Sequence, residues 1–250
     1  MRTSNKFIFS ALLLTLMALV VYDLLLKAEY RSGNYKIPYQ NYVGLNFRNF
    51  DVLDLNSSTV ANVRLVQGPF SVRINENALE YVKVQQKGNH LQIDAGFEDQ
   101  YYGNPNPYLL VISCPKLTSL NADASYQTGD GPYTDSIARE DWNMRRVLID
   151  GFIQDSLQIS ADYGSTVVLA NNHIRSLHAV IGKSRGSGSG LIIQNTNRFQ
   201  DAVLDIRHKS KLQLENAMID NLHYDLGDSA QLLVSGKAQN LLSNSKPDQK

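Results

Sequence analysis

The sequence predicts an all-β domain, a solenoid of the parallel β-helix type, behind one N-terminal transmembrane helix. Three observations carry this expectation. A single long apolar run lies near the N-terminus. Short segments after residue 50 alternate apolar and polar residues, as half-buried strands do. In the second half these segments recur at a period of about 20–25 residues, within the range of stacked repeats.

The apolar run covers residues 7–26, with Arg2 and Lys6 ahead of it as a positive n-region. A helix needs roughly 20 residues to cross the hydrocarbon core. The run lacks the polar stripe of a water-soluble helix. It reads as an uncleaved signal anchor or as a cleaved signal peptide. Lys27-Ala28-Glu29-Tyr30-Arg31 offers no small-residue cleavage site, which favours the anchor. Asp23 lies near one end, where a carboxylate reaches the interface. Residues 1–6 are expected in the cytoplasm. Lys27, Arg31 and Lys36 weaken the charge asymmetry, but a long domain translocates largely regardless of such charges. Residues 1–6 are too few to fold, so any signalling would pass through another membrane protein. Residues 27–49 form a connector rich in tyrosine: Tyr30, Tyr35, Tyr39 and Tyr42. These rings suit the headgroup level of a membrane or packing on the domain.

Residues 50–242 are expected to form the β domain, and 243–250 a disordered tail. Phe70-Ser-Val72-Arg-Ile74, Val82-Lys-Val84 and Leu91-Gln-Ile93 are alternating segments. Gly68-Pro69, Asn75-Glu76-Asn77 and Lys87-Gly88-Asn89 supply turns between them. Four later segments share one form: Val167 to Asn171, Leu191 to Asn195, Leu212 to Asn216 and Leu232 to Gly236. Each follows another apolar-x-apolar piece: Leu157-Gln-Ile159, Leu177-His-Ala179, Leu204-Asp-Ile206 and Leu222-His-Tyr224. Leu120-Asn-Ala122 begins an irregular first copy. One such unit cannot bury its apolar face alone, but stacked copies share a core. Asn and Gly recur where the chain turns because they tolerate the left-handed conformation, and stacked Asn side chains can bond to one another. A β-sandwich of alternating strands is the competing architecture. Residues 126–146, with Trp142, read as an insertion holding a short helix, and Lys183 to Gly190 as a flexible loop.

The order of segments resembles a known family. Phe50-Asp-x-Leu-x-Leu55, Val63-Arg-Leu-Val-Gln-Gly68, Val82-Lys-Val84, Leu91-Gln-Ile93 and Ile112-Ser-Cys-Pro-Lys-Leu117 precede repeated strand pairs. Residues 50–242 are in this respect similar to the auto-transporter adhesin head GIN domain family of Bacteroidetes-type cell-envelope proteins. The resemblance implies a right-handed β-solenoid at the cell envelope, and it carries over no catalytic residue. Two places depart from the family pattern. Asp123-Ala-Ser-Tyr126 stands where the family has a Gly/Ser-rich turn, and the 126–146 insertion is untypical.

Composition narrows the chemistry. Hydrophobic residues make up 43% and charged residues 19%, which suits a folded chain. Lys plus Arg and Asp plus Glu are 24 each, so the basic surplus of a nucleic-acid binder is missing, although local patches can exist. The single cysteine, Cys114, cannot close an internal disulfide and reads as a buried small hydrophobe at a strand end. Gly182-Lys183-Ser184 fails as a phosphate loop because Leu177 stands where the first glycine must be. His90, His173, His178, His208 and His223 show no zinc-helix spacing. No catalytic residue, cofactor site or metal site is therefore assigned. The expected function is noncatalytic: a structural or adhesive envelope protein, outside the cytoplasm, with membrane lipid around its helix and an envelope protein or glycan as partner. The alternative is a carbohydrate-active enzyme using two of the repeat carboxylates, Asp150, Asp155, Asp162, Asp201, Asp205, Asp220, Asp225 and Asp228.

Overall fold

The computed structural model describes residues 3–33, 39–96, 108–136 and 146–244. They divide into two units, Met1–Tyr42 and Val43–Lys250. The first unit is helix α1, Thr3–Ser32, whose 30 residues outrun the apolar run at both ends. At 1.5 Å per residue it is about 45 Å long, more than a hydrocarbon core needs. Leu, Ala and Met favour the helix, and no Pro or Gly interrupts it. Thr15 satisfies its hydroxyl by donating to the Ala11 carbonyl at 3.0 Å. Gly33 ends the helix at φ +72°. The apolar side chains are exposed along its length.

The second unit is mostly β. Its first strands are β1 Tyr42–Leu45, β2 Val52–Leu55, β3 Val63–Gln67, β4 Ser71–Asn75, β5 Val82–Lys87 and β6 His90–Ala95. Next come β7 Leu110–Cys114, β8 Ser119–Ala122, β9 Ser125–Thr128 and β10 Gly131–Thr134. The repeats supply β11 Val147–Asp150, β12 Ile153–Ala161, β13 Thr166–Ala170, β14 His173–Ile181 and β15 Gly190–Ile193. They end with β16 Arg198–Ile206, β17 Lys211–Glu215, β18 Met218–Leu226 and β19 Gln231–Ser235. Helix α2, Gln239–Asn244, follows, so residues 243 and 244 are helical, and the rest of the expected tail lies outside the described residues.

Among the described residues the strands make a sheet of nine, a sheet of eight and the ribbon β9–β10. Both large sheets are mixed, and neither closes on itself. From β11 onward, successive strands alternate between the two sheets, and each pairs in parallel with the strand two places later. Antiparallel partners occur in the earlier part: β4 on β7 and β5 on β6.

The register aligns Val167, Leu191, Leu212 and Leu232. In the other sheet it aligns Leu157, Leu177, Ala202 and Leu222. Leu204-Asp-Ile206 is thus two residues out of step with its expected partners, because Ala202 fills the inward position. Leu120-Asn-Ala122 does join the ladder, beside Ile159 and Ala161. Inward residues form one core, with Phe50, Phe152 and Phe199 among its largest fully buried side chains. β13 is buried on both faces, where alternation implied one.

The two kinds of corner explain the recurring Asn and Gly. Gly151, Asn171 and Asn216 sit where the chain passes from one sheet to the other, at φ +78°, +56° and +52°, and Gly236 follows the last strand at φ +63°. This is the left-handed region that glycine and asparagine tolerate best. The stacked amides come from other turn positions, one residue after Asn171 and two after Asn195. Asn172 and Asn197 are fully buried, and Asn172 Nδ2 donates to Asn197 Oδ1 at 2.9 Å. Asn172 also accepts from the Phe152 amide at 2.9 Å, and Asn197 donates to the Leu169 carbonyl at 2.6 Å.

Two expected irregularities look different. Residues 125–134 are the antiparallel ribbon β9–β10, so this part of the expected insertion is strand, while residues 137–145, Trp142 among them, lie outside the described residues. Residues 183–190 are tied down. Ser187 and Ser189 are buried and donate to the Tyr163 carbonyl at 3.1 and 2.8 Å. Serine here supplies hydrogen bonds, where its composition suggested flexibility.

Candidate functional site

At the corner after the eight-stranded sheet, the residue following each inward apolar position falls into a column. Asp94, Asn56, Asp123 and Asp162 follow Ile93, Leu55, Ala122 and Ala161, which the ladder sets side by side. Neighbouring strands lie about 4.8 Å apart, so the polar groups are close. Asn56 Nδ2 donates to Asp94 Oδ1 at 2.7 Å. The ribbon β9–β10 rises beside this column. An isolated bridge joins Ser57 to Ala124 and another joins Gly96 to Gln127. Ser57 is buried and ties the parts together, accepting from the Ala95 amide and donating to the Ser125 carbonyl, both at 2.9 Å.

The result is an open groove of about 480 Å³, lined in part by Asn56, Lys83, Asp94, Asp123, Tyr126 and Pro132. Tyr126 and Tyr133 pack with ring centroids 5.3 Å apart. The groove joins two carboxylates, one ammonium and the amides of Asn56 and Gln127 to the Tyr126 ring. That is the make-up of a site for a polar ligand with apolar patches, where a few placed polar groups set orientation.

The carboxylates differ in character. Burial pushes Asp123 above the ordinary carboxylate value and the nearby Asp162 charge adds to this, while the Ala124 amide opposes it. Burial also acts on Asp162, but hydrogen bonds outweigh it. The Ser184 hydroxyl and amide, the Tyr163 amide and Ser187 hold Asp162 below the ordinary value. Both Asp162 oxygens are engaged by Ser184, at 2.6 to 3.1 Å, so this side chain braces the 183–190 turn.

The other repeat carboxylates are dispersed. Asp150 pairs with Arg64 at 2.6 Å and accepts from Asn171 at 2.7 Å. Asp155 faces Arg175 at 3.4 Å, Asp201 accepts from Asn221 at 2.9 Å, and Asp205 pairs with Arg207. Asp220, Asp225 and Asp228 are exposed. His90 contacts Asp54 at 2.7 Å, and His173, His178 and His223 are exposed on strands. His208 occupies a corner at φ +53°. Among the described residues no three His, Cys, Asp or Glu side chains could hold a metal ion. Cys114 is buried at the end of β7, and its thiol is pushed up to about 12 by burial and then by the Asp51 charge, against the Lys116 amide.

Of the groove residues only Asp123 to Tyr126 stood out in the sequence, as a departure from the family's turn and not as a site. One signal was present: Asn56, Asp94 and Asp123 each directly follow an apolar-x-apolar piece, Leu53-Asp-Leu55, Leu91-Gln-Ile93 and Leu120-Asn-Ala122. Aligning those pieces as repeat members would have stacked the three polar residues.

No protein-family model matches this chain, and no curated protein matches it. Several solved structures are similar to it. A "putative adhesin" from Bacteroides fragilis is 11% identical with a TM-score of 0.36, over 77% of this chain and 94% of that one. A "putative lipid binding protein" from Parabacteroides distasonis is 14% identical with a TM-score of 0.33, over 78% and 94%. A "putative adhesin" from Parabacteroides merdae is 10% identical with a TM-score of 0.29, over 78% and 95%.

Proposed function

We propose that this chain is a noncatalytic binding protein of the cell envelope, held by α1 as a single-pass anchor with the β domain outside the cytoplasm. In this reading the β domain is a right-handed β-solenoid of the GIN type, and its groove binds a glycan. The observation that carries the binding role is the groove, where Asp94, Asn56 and Asp123 meet the Tyr126 ring on a backbone-braced corner. Carboxylates and an amide suit hydroxyl groups, and a ring suits the apolar face of a sugar. The exposed apolar helix supports the anchor.

The test is a glycan array probed with the full chain in nonionic detergent. Asp94→Asn combined with Tyr126→Ala is expected to lower binding of a captured glycan at least tenfold without product release. Unchanged binding would remove the groove from the account. One observation favours a second reading: Asp123, shifted upward, shares the groove with Asp94. Such a pair suits acid–base work on a glycosidic bond. Hydrolysis of the captured glycan, abolished by Asp123→Asn, would establish that reading.

A further inference from the structure

The next turns along the same corner carry a different chemistry. Residues 182–189 take the place that 162–165, 207–210 and 227–230 hold in neighbouring units, since Thr166, Gly190, Lys211 and Gln231 are aligned. Lys183 and Arg185 lie on the longer turn. Arg207, His208, Lys209 and Lys211 lie on or beside the adjacent one. The two turns are fastened together: the Lys209 amide donates to the Ser187 carbonyl at 3.1 Å, and the Lys211 amide to the Ser189 carbonyl at 2.8 Å. The longer turn is held on its other side by Asp162 and Tyr163. The cations therefore stand on a rigid base.

Two of the nearby acids are engaged, and the exposed Asp225 acts on Arg207 from the next strand. Asp162 is engaged by Ser184, and Asp205 by Arg207. Asp228 lies one turn further on. Lys183, Arg185 and Lys209 are exposed and Lys211 is half-buried. Among the described residues none of these four has a carboxylate at ion-pair distance. In a chain whose formal net charge is zero, this is a segregated positive patch.

We propose that this corner is a second binding surface, separate from the groove, for an acidic polysaccharide. Successive turns repeat at about 4.8 Å, the scale of successive sugars in an extended chain, so a linear polyanion can meet cations on both turns. The chemistry of the corner disfavours other polyanions. No large exposed hydrophobic side chain lies in 182–189 or 207–211, so nothing there enters a bilayer beyond the headgroups. Neither turn holds a Phe, Tyr or Trp on which unpaired bases could stack.

The experiment uses the full chain in nonionic detergent, with alginate as the acidic polysaccharide and dextran as its neutral control. Alginate is expected to bind with an affinity that falls steeply with salt, and dextran not to bind through this corner. Replacing Lys183, Arg185, Lys209 and Lys211 together by Gln is expected to weaken alginate binding at least tenfold. Arg185→Gln with Lys209→Gln alone, two exposed positions, is expected to flatten the salt dependence. Asp94→Asn with Tyr126→Ala is expected to leave alginate binding intact, so failure of the groove and failure of this corner are read separately. Undiminished alginate binding by the fourfold Gln variant would overturn the proposal. So would tighter binding to phosphatidylglycerol vesicles or to a single-stranded oligonucleotide than to alginate.

Discussion

Replacing Asn172 by alanine tests the stacking of repeat units at a fully buried polar point. Asn172 is fully buried and bridges three units. Its Oδ1 accepts from the Phe152 amide in the preceding unit at 2.9 Å. Its Nδ2 donates to the Ile149 carbonyl and, in the following unit, to Asn197 Oδ1, both at 2.9 Å. Alanine strands the Phe152 N–H away from water and takes one donor each from Ile149 and Asn197. An orphaned buried donor costs 1–3 kcal/mol and each lost bond less, so the expected destabilisation is about 3 kcal/mol. For a β unit of this size that lowers Tm by roughly 6–12 °C. Urea unfolding of the chain in detergent, followed by far-UV circular dichroism, reads the change. Asn171→Gly is the control. That residue is exposed at φ +56°, so glycine accepts the backbone and only a surface hydrogen bond to Asp150 is lost. A loss below about 0.5 kcal/mol for Asn172→Ala would show that the amide stack does not bind the units together.

Other substitutions probe the corners and the thiol. Gly182→Ala should destabilise strongly, because φ is +81° and a Cβ would lie 2.1 Å from Ser210 Oγ and 2.5 Å from the Arg207 carbonyl. Comparable unfolding midpoints for wild type and Gly182→Ala would contradict that packing. Asp123 and Asp162 should give opposite pH effects. Asp123 is raised in the fold, so its contribution is fully present below the ordinary carboxylate value and is lost as pH rises through its folded value. Asp123→Asn should therefore stabilise at neutral pH and be neutral in acid. Asp162 is lowered, so its contribution is present above the ordinary value and is lost as pH falls through its folded value. Asp162→Asn should destabilise at neutral pH, with the difference closing in acid; unfolding midpoints across pH check both. Cys114, buried with its thiol pushed up to about 12, should react with a disulfide reagent only after unfolding, and prompt native labelling would contradict its burial.

Much of the architecture was legible because strand burial leaves a period of two and the corners demand left-handed residues. The four segments beginning at Val167, Leu191, Leu212 and Leu232 align as their pattern implied. Elsewhere the pattern is degenerate. Ala202 is inward but small, so Leu204 drew the repeat two residues out of step. Asn171 and Asn172 look alike in sequence. Backbone conformation puts one in solvent and the other in the core, and only the second joins the amide stack. The groove was illegible for a different reason: its parts come from distant segments. Asn56 meets Asp94 across 38 positions, and Ser57 meets Ser125 across 68. The brace on residues 183–190 depends likewise on Asp162, a carboxylate that composition alone assigns to a turn surface.

The proposal that the β domain is anchored and faces outward is tested most directly by membrane fractionation joined to protease protection. Cells are washed with alkaline carbonate, the chain's N-terminus is determined, and protease is added to spheroplasts. The account predicts a chain that stays in the membrane, begins at Met1 and loses its β domain to external protease. A soluble chain with a new N-terminus near Tyr30, or a β domain protected until the spheroplasts are lysed, would contradict it.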